Sequence, residues 1–110
     1  MRVYIATPIN GRHDGRDFKE KLALARHRVD ILKQVLRDKP GFKGCEFVST
    51  FDFKDQLNKS EAENMGNCIQ LVLTCDAIYL DHGWLQSRGC NLEYRAAKIY
   101  GLEIYDHYKL

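Results

Sequence analysis

Ser87-Arg88-Gly89-Cys90-Asn91, with Glu93 close behind, gathers more chemistry than any other stretch of this chain. If a helix opens there, its unpaired N–H groups and partial positive charge make a ready site for an anion. Ser87 adds a hydroxyl, Arg88 a charge, and Gly89 a place where the backbone can approach a ligand. A purely local reading stands beside it, with Ser87 as an N-cap and Glu93 as a first-turn carboxylate complementing the helix dipole. Thr7-Pro8-Ile9-Asn10-Gly11 with Arg12 and Arg16 makes a second polar wall. Either arginine can meet a phosphate or remain a plain surface cation. Trp84, the single tryptophan, can stack on a base or cover the sheet edge. Asp81 and His82 can shuttle protons or simply form a polar turn.

The elements that must position these residues follow from periodicity. Arg2–Ala6 is an apolar, β-branched run that ends at the turn chemistry of Thr7–Gly11. From Asp17 to about Asp38 the period becomes helical, with Phe18, Leu22, Ala25, Val29, Leu32 and Leu36 on the core side. Lys19, Glu20, Lys21, Arg26, Arg28, Lys33 and Arg37 fall on the wet side. Cys45–Thr50 predicts a second strand, and Phe51–Lys59 a long irregular loop. Ser60-Glu61-Ala62-Glu63 fits a capping box whose helix should turn Met65, Ile69, Leu71 or Val72, and Leu73 into the core. Asp76–Leu80 predicts a third strand. A helix follows from Arg88 or Asn91 to Tyr100, with Leu92, Ala96 and Ile99 on one face and Gly101 as its stop. Leu102–Tyr105 closes the sheet. The alternation predicts an α/β three-layer sandwich, a mostly parallel sheet of about four strands with helices on both faces. Ligands of such sheets bind beyond the carboxyl ends of the strands, where both polar loops lie.

Composition narrows the function classes. The 110 residues allow one domain, 1–110, and 45% hydrophobic with 29% charged residues argues against disorder and against a membrane span. A net charge of +2 with interspersed signs lacks the basic stripe that a nucleic-acid polymer requires. Met1–Ile5 runs straight into a strand with no signal-peptide pattern, so a cytoplasmic location is expected. Cys45, Cys68, Cys75 and Cys90 form no Cys-x-x-Cys pair, so reduced, buried thiols are expected and neither metal nor cofactor. A domain this small gains from association, which makes a homo-oligomer the expected state.

Cys75-Asp76-Ala77-Ile78-Tyr79-Leu80, then Gly83-Trp84, Ser87-Arg88-Gly89 and Glu93, with Ala97 and Gly101 behind, resembles the DUF4406 family. That family looks like a compact branch of the nucleoside 2-deoxyribosyltransferase-like superfamily, whose opening strand and loop are similar to Tyr4–Gly11. The resemblance implies a flavodoxin-like (Rossmann-like) sheet and cleavage of an N-glycosidic bond. The superfamily's nucleophile, a glutamate in the first turn of the helix after this loop, falls on Glu93. Such a carboxylate attacks the anomeric carbon and forms a covalent glycosyl-enzyme, which water or a second base then resolves. Members acting on free nucleosides carry aspartate where this chain has Ser87, and nucleotide hydrolases carry serine, so a nucleoside 5′-monophosphate is implied. Active members also place a second acid on the preceding helix, where this chain reads Asn67-Cys68; Asp81 is expected to stand in for it. Asp81-His82 also departs from a family pattern that is usually apolar there. The expectation is thus an N-glycosidase, hydrolase or deoxyribosyltransferase, acting on a small-molecule nucleotide or nucleoside. Its catalytic residues would be Glu93 and Asp81. Thr7, Pro8, Gly11, Arg12, Trp84, Ser87, Arg88 and Gly89 would hold substrate, and neighbouring subunits would complete the pocket. The alternatives are a non-catalytic nucleotide-binding or sensing module and a scaffold with a vestigial pocket.

Overall fold

Alternate residues of the first strand bury on opposite sides of the sheet, and that parity divides the molecule into two cores. The computed structural model describes residues 1–9, 17–54 and 56–109. Among them β1 (Arg2–Ala6), β2 (Glu46–Val48), β3 (Ala77–Leu80) and β4 (Glu103–Asp106) form one parallel sheet in the order β2-β1-β3-β4. Val3 and Ile5 pack with Val29, Leu32 and Leu36 of α1 (Phe18–Arg37). Tyr4 and Ala6 pack the other way, with Val72 of α2 (Glu61–Val72) and Cys90 and Ala97 of α3 (Arg88–Ile99). One helix therefore covers one face and two cover the other, the three-layer arrangement expected from the alternation and compatible with the flavodoxin-like sheet that the resemblance implies.

Handedness explains the division. The chain moves outward from β1 to β2 through α1, then returns past β1 to β3 through α2. Crossovers of constant hand with reversed direction put the two helices on opposite faces. The reversal falls between β1 and β3, paired from Val3↔Ala77 to Ala6↔Leu80. All of β3 and all of β1 but Arg2 are buried, as strands covered on both faces require. Loops leaving these two strand ends diverge and open a crevice.

The structure corrects several sequence-based assignments. Along α1 the stripe Ala25, Val29, Leu32 and Leu36 is buried, but Phe18 is half-exposed and Lys21, assigned to the wet side, is only 7% exposed. The first turn of α1 overhangs the carboxyl edge of the sheet, where the crevice replaces core. In α2 the inward residues are Cys68 and Val72, while Leu73 caps the helix and is exposed. Ser60 accepts a hydrogen bond from the Glu63 N–H as predicted, and its hydroxyl in turn donates to the Glu63 carboxylate.

In α3 the face is different: Leu92 and Ile99 point outward at 51% and 77% exposure, and Cys90, Glu93 and Ala97 are inside. The narrow Cys–Glu–Ala face suits close packing against α2 and the sheet, and it brings Glu93 to a polar partner. The helix begins at Arg88, so Glu93 is its sixth residue and the first turn holds no acid. The segment after β2 contains short 3-10 turns at Thr50–Asp52 and Gln56–Asn58. Ser49 and Asp52 cap the first of them reciprocally. Gly101 ends α3 at a φ of +77°. Among the described residues no helix is long and apolar enough to cross a membrane.

Candidate active site

A cleft of about 700 Å³ opens at the carboxyl ends of β1 and β3. Thr7 and Pro8 leave β1 along one side of it, and Lys21 enters from the first turn of α1. Thr50, Met65 and Cys68 form the wall from the β2–α2 side, and the opening turns of α3 supply Ser87 through Glu93.

Glu93 is the group with the most unusual environment. Its side chain reaches from α3 toward β1, where the Tyr4 hydroxyl donates a hydrogen bond to Oε2. Burial, to 6% exposure, disfavours the carboxylate and pushes the Glu93 pKa up to about 7, partly opposed by the Tyr4 hydrogen bond. The same burial, together with the adjacent Glu93 charge, holds Tyr4 well above its ordinary pKa, so the phenol stays protonated as a donor. Cys68 stands next to this pair and donates to Thr50 Oγ1 at 3.1 Å. Burial first, and then the Glu93 charge, raises the Cys68 pKa, leaving a neutral thiol and not a thiolate. A carboxyl poised near neutrality, beside two neutral donors and open to a cleft, is suited to nucleophilic or proton-transfer work.

Ser87 caps α3, accepting from the Cys90 N–H at 3.2 Å, and also lines the cleft. The local and the ligand-facing readings of Ser87 therefore describe one geometry. A Cβ at Gly89 would lie 3.6 Å from Met65 Sδ, an ordinary contact. Packing thus does not demand glycine, although glycine in a helix costs roughly 0.5–1 kcal/mol relative to alanine. Its absent side chain keeps the α3 backbone open to the cleft. Arg88 lines the cleft too, and its guanidinium lies 3.9 Å from Glu61 in an exposed pair. Such a pair contributes little stability and yields readily to an anionic ligand.

Other expected residues sit elsewhere. Asp81 is 1% exposed, away from the cleft lining. It accepts two hydrogen bonds from Arg28, at 2.8 and 3.0 Å, one from Thr7 Oγ1 at 3.2 Å and one from the His82 N–H. The carboxylate ties α1, the end of β1 and the loop after β3 together. The hydrogen bonds to Asp81 raise the Arg28 pKa, so the guanidinium stays charged. Arg28, assigned to solvent from the sequence, is half of this clamp. Trp84 is 5% exposed, packs against Tyr94 and donates from Nε1 to Asp106 at 3.1 Å. Trp84 therefore covers the sheet and does not line the cleft. Gly83 beside it has φ +83°, a conformation that favours glycine. Gly11, Arg12 and Arg16 lie outside the described residues. Among the described residues no group of three or more His, Cys, Asp or Glu side chains is arranged to hold a metal ion.

Sequence reasoning passed over Tyr4, Thr50, Phe18, Phe51 and Lys21 as site residues, and saw Cys68 only as a missing acid. A legible signal existed for Tyr4, the one hydroxyl of β1. For Glu93 the signal was its i−3 and i+4 spacing to Cys90 and Ala97.

The fold and cleft define a doubly wound α/β protein with a buried, near-neutral carboxyl at its topological switch point. The sequence model of the family DUF4406, described as a domain of unknown function, matches residues 1–106, and the chain belongs to that family. Comparison with curated proteins finds no match.

Proposed function

We propose that this protein is an N-glycosidase of the nucleoside 2-deoxyribosyltransferase-like kind, acting on a nucleoside 5′-monophosphate. The observation that carries the reading is Glu93, buried at the cleft with its carboxyl held by Tyr4 and its pKa near neutrality. In the reaction, ionised Glu93 attacks C1′ of the sugar as the bond from C1′ to the base nitrogen breaks. The bonding pair leaves with the base, and the sugar remains as an ester on Glu93. Water then attacks C1′, the ester bond breaks back to the carboxylate, and the water's proton balances the departed base. The products are free base and sugar 5-phosphate; a second base in place of water gives transfer. Tyr4 orients the carboxylate and stabilises its charge, acting as a positioning residue. The N-terminus of α3, with Ser87 and the open backbone at Gly89, receives the 5′-phosphate. Asp81 serves this reading as the clamp that shapes the cleft.

Self-association belongs to the same reading. Leu92, Ile99 and Tyr100 present apolar surface around the outer side of α3, and the superfamily resemblance supplies a second copy as the partner. A cytoplasmic location is likewise part of the proposal. The non-catalytic nucleotide-binding module stands as a second reading because the thiol of Cys68, too weakly acidic to act as a carboxyl would, occupies the place of the second acid.

The test is base release from a panel of nucleosides and nucleoside 5′-monophosphates, followed by chromatography. Release from a monophosphate, falling by roughly a thousandfold or more in Glu93→Gln, is the expected result. Binding without release, unaffected by Glu93→Gln, would establish the second reading.

A further inference from the structure

The burial of Trp84 leaves the cleft without the aromatic surface that the sequence offered for a heterocycle. Besides Tyr4, whose hydroxyl is engaged by Glu93, two aromatic rings of the described residues line it: Phe18, at the first position of α1, and Phe51, in the turn after β2. Their settings differ. Phe18 is 51% exposed at a helix end. Phe51 is half-buried, packed by part of its ring on the α1-side core, and held by a rigid turn.

That turn is fixed from several directions. The Phe51 N–H donates to Ser49 Oγ at 3.2 Å, and Asp52 accepts from the Ser49 N–H at 2.9 Å. Thr50 accepts from Cys68 at 3.1 Å, and the Gln56 amide donates to both the carbonyl and the hydroxyl of Thr50. The Arg26 guanidinium lies over the Phe51 ring, 5.5 Å from its centroid. A ring so held loses little conformational entropy when a second planar group stacks upon it. Contacts also run from this turn to the carboxyl: Phe51 adjoins Thr50, Thr50 bonds Cys68, and Cys68 neighbours Glu93 and Tyr4.

We propose that Phe51 is the platform on which the ligand's heterocyclic base stacks, with Phe18 as the second aromatic wall of a base subsite beside the Glu93 carboxyl. The inference rests on the nucleotide reading of the cleft, and it assigns the base to the β2–α2 side. The α3 N-terminus is thereby left to the phosphate. Base–aromatic stacking tolerates any base, because every base has a π-face. Phe51 therefore supplies affinity for bases as a class, and selection among them falls to polar groups of the wall.

The experiment is calorimetric titration of the full chain with nucleoside 5′-monophosphates and, separately, with ribose 5-phosphate, which has the phosphate and sugar but no base. Phe51→Leu keeps an apolar side chain against the core while removing the π-face. Its monophosphate affinity should fall roughly five- to a hundredfold, with ribose 5-phosphate unchanged. Equal weakening of both ligands would overturn the platform, as would unchanged affinity for both. In either case wild-type binding of the monophosphate would leave the nucleotide reading standing. Failure of the wild type to bind any monophosphate would remove that reading and the platform with it. Should Phe51→Leu fail to fold, Phe51→Trp decides. Its new indole should be quenched by saturating monophosphate and not by ribose 5-phosphate, and an unresponsive indole would overturn the proposal.

Discussion

At Glu93 two effects oppose each other: burial destabilises the carboxylate, and the Tyr4 hydroxyl stabilises it. Burial wins, and the group titrates at about 7 instead of its ordinary value near 4.5. A nucleophile must be ionised, so kcat/KM should rise with pH through an acid limb near neutrality and level off above it. Tyr4→Phe removes the opposing, lowering contribution while keeping the ring in the core. The limb should move to higher pH, and activity at pH 6.5 should fall more than activity at pH 8.5. A pH–rate profile of the two proteins checks this, and an unmoved limb would separate Tyr4 from the ionisation of Glu93. Little of this pair is legible in the chain, because its members stand 89 residues apart. Only the parity of β1 and the rotation of α3 bring them together.

Individual elements carry two further expectations. Ser87 caps α3 and faces the cleft, and one substitution separates the roles. Aspartate caps a helix as well as serine does, but its charge repels a phosphate at the same helix end. Ser87→Asp should therefore keep the thermal midpoint within a few degrees while weakening monophosphate binding at least about tenfold. A nucleoside lacking the phosphate should be unaffected, and calorimetry with both ligands reads the difference. The second expectation concerns α1, held to the end of β3 by Arg28 and Asp81. Arg28→Met leaves the Asp81 carboxylate buried without its cation. Because the Arg28 side chain is itself 42% exposed, the loss should lie below that of a fully buried pair, at about 2 kcal/mol in denaturant unfolding. Two helix starts were legible as local capping signals: Ser60 and Ser87 accept from the backbone as predicted, and Asp17, read only as the start of the helical period, caps α1 in the same way. The inward faces of α1 near Lys21 and of α3 were not, since each offered competing stripes and local period does not rank them.

For the whole molecule, the doubly wound order places one crevice between β1 and β3 and directs the loops after both strands toward it. The proposed association of copies would run through the exposed apolar side chains around the outer side of α3. Sedimentation velocity should show a species larger than one chain, and Ile99→Glu should shift it toward the monomer by placing a charge in the contact. A monomeric wild type at micromolar concentration would remove association from the proposed function.

Strand and helix content, the capping serines, the left-handed stop at Gly101 and the parallel α/β class were determined by the sequence itself. Each depends on residues within one or two turns of one another, where hydrophobic period and backbone preference act directly. Tertiary structure alone decided which stripe of α3 faces inward, that Asp81 is clamped by Arg28 and that Trp84 is core while Phe51 lines the cleft. The physical reason is the same in each case. A face is chosen by what packs against it, and a carboxyl's ionisation by the partners and burial it meets there. Those partners come from parts of the chain that only the completed sheet brings together.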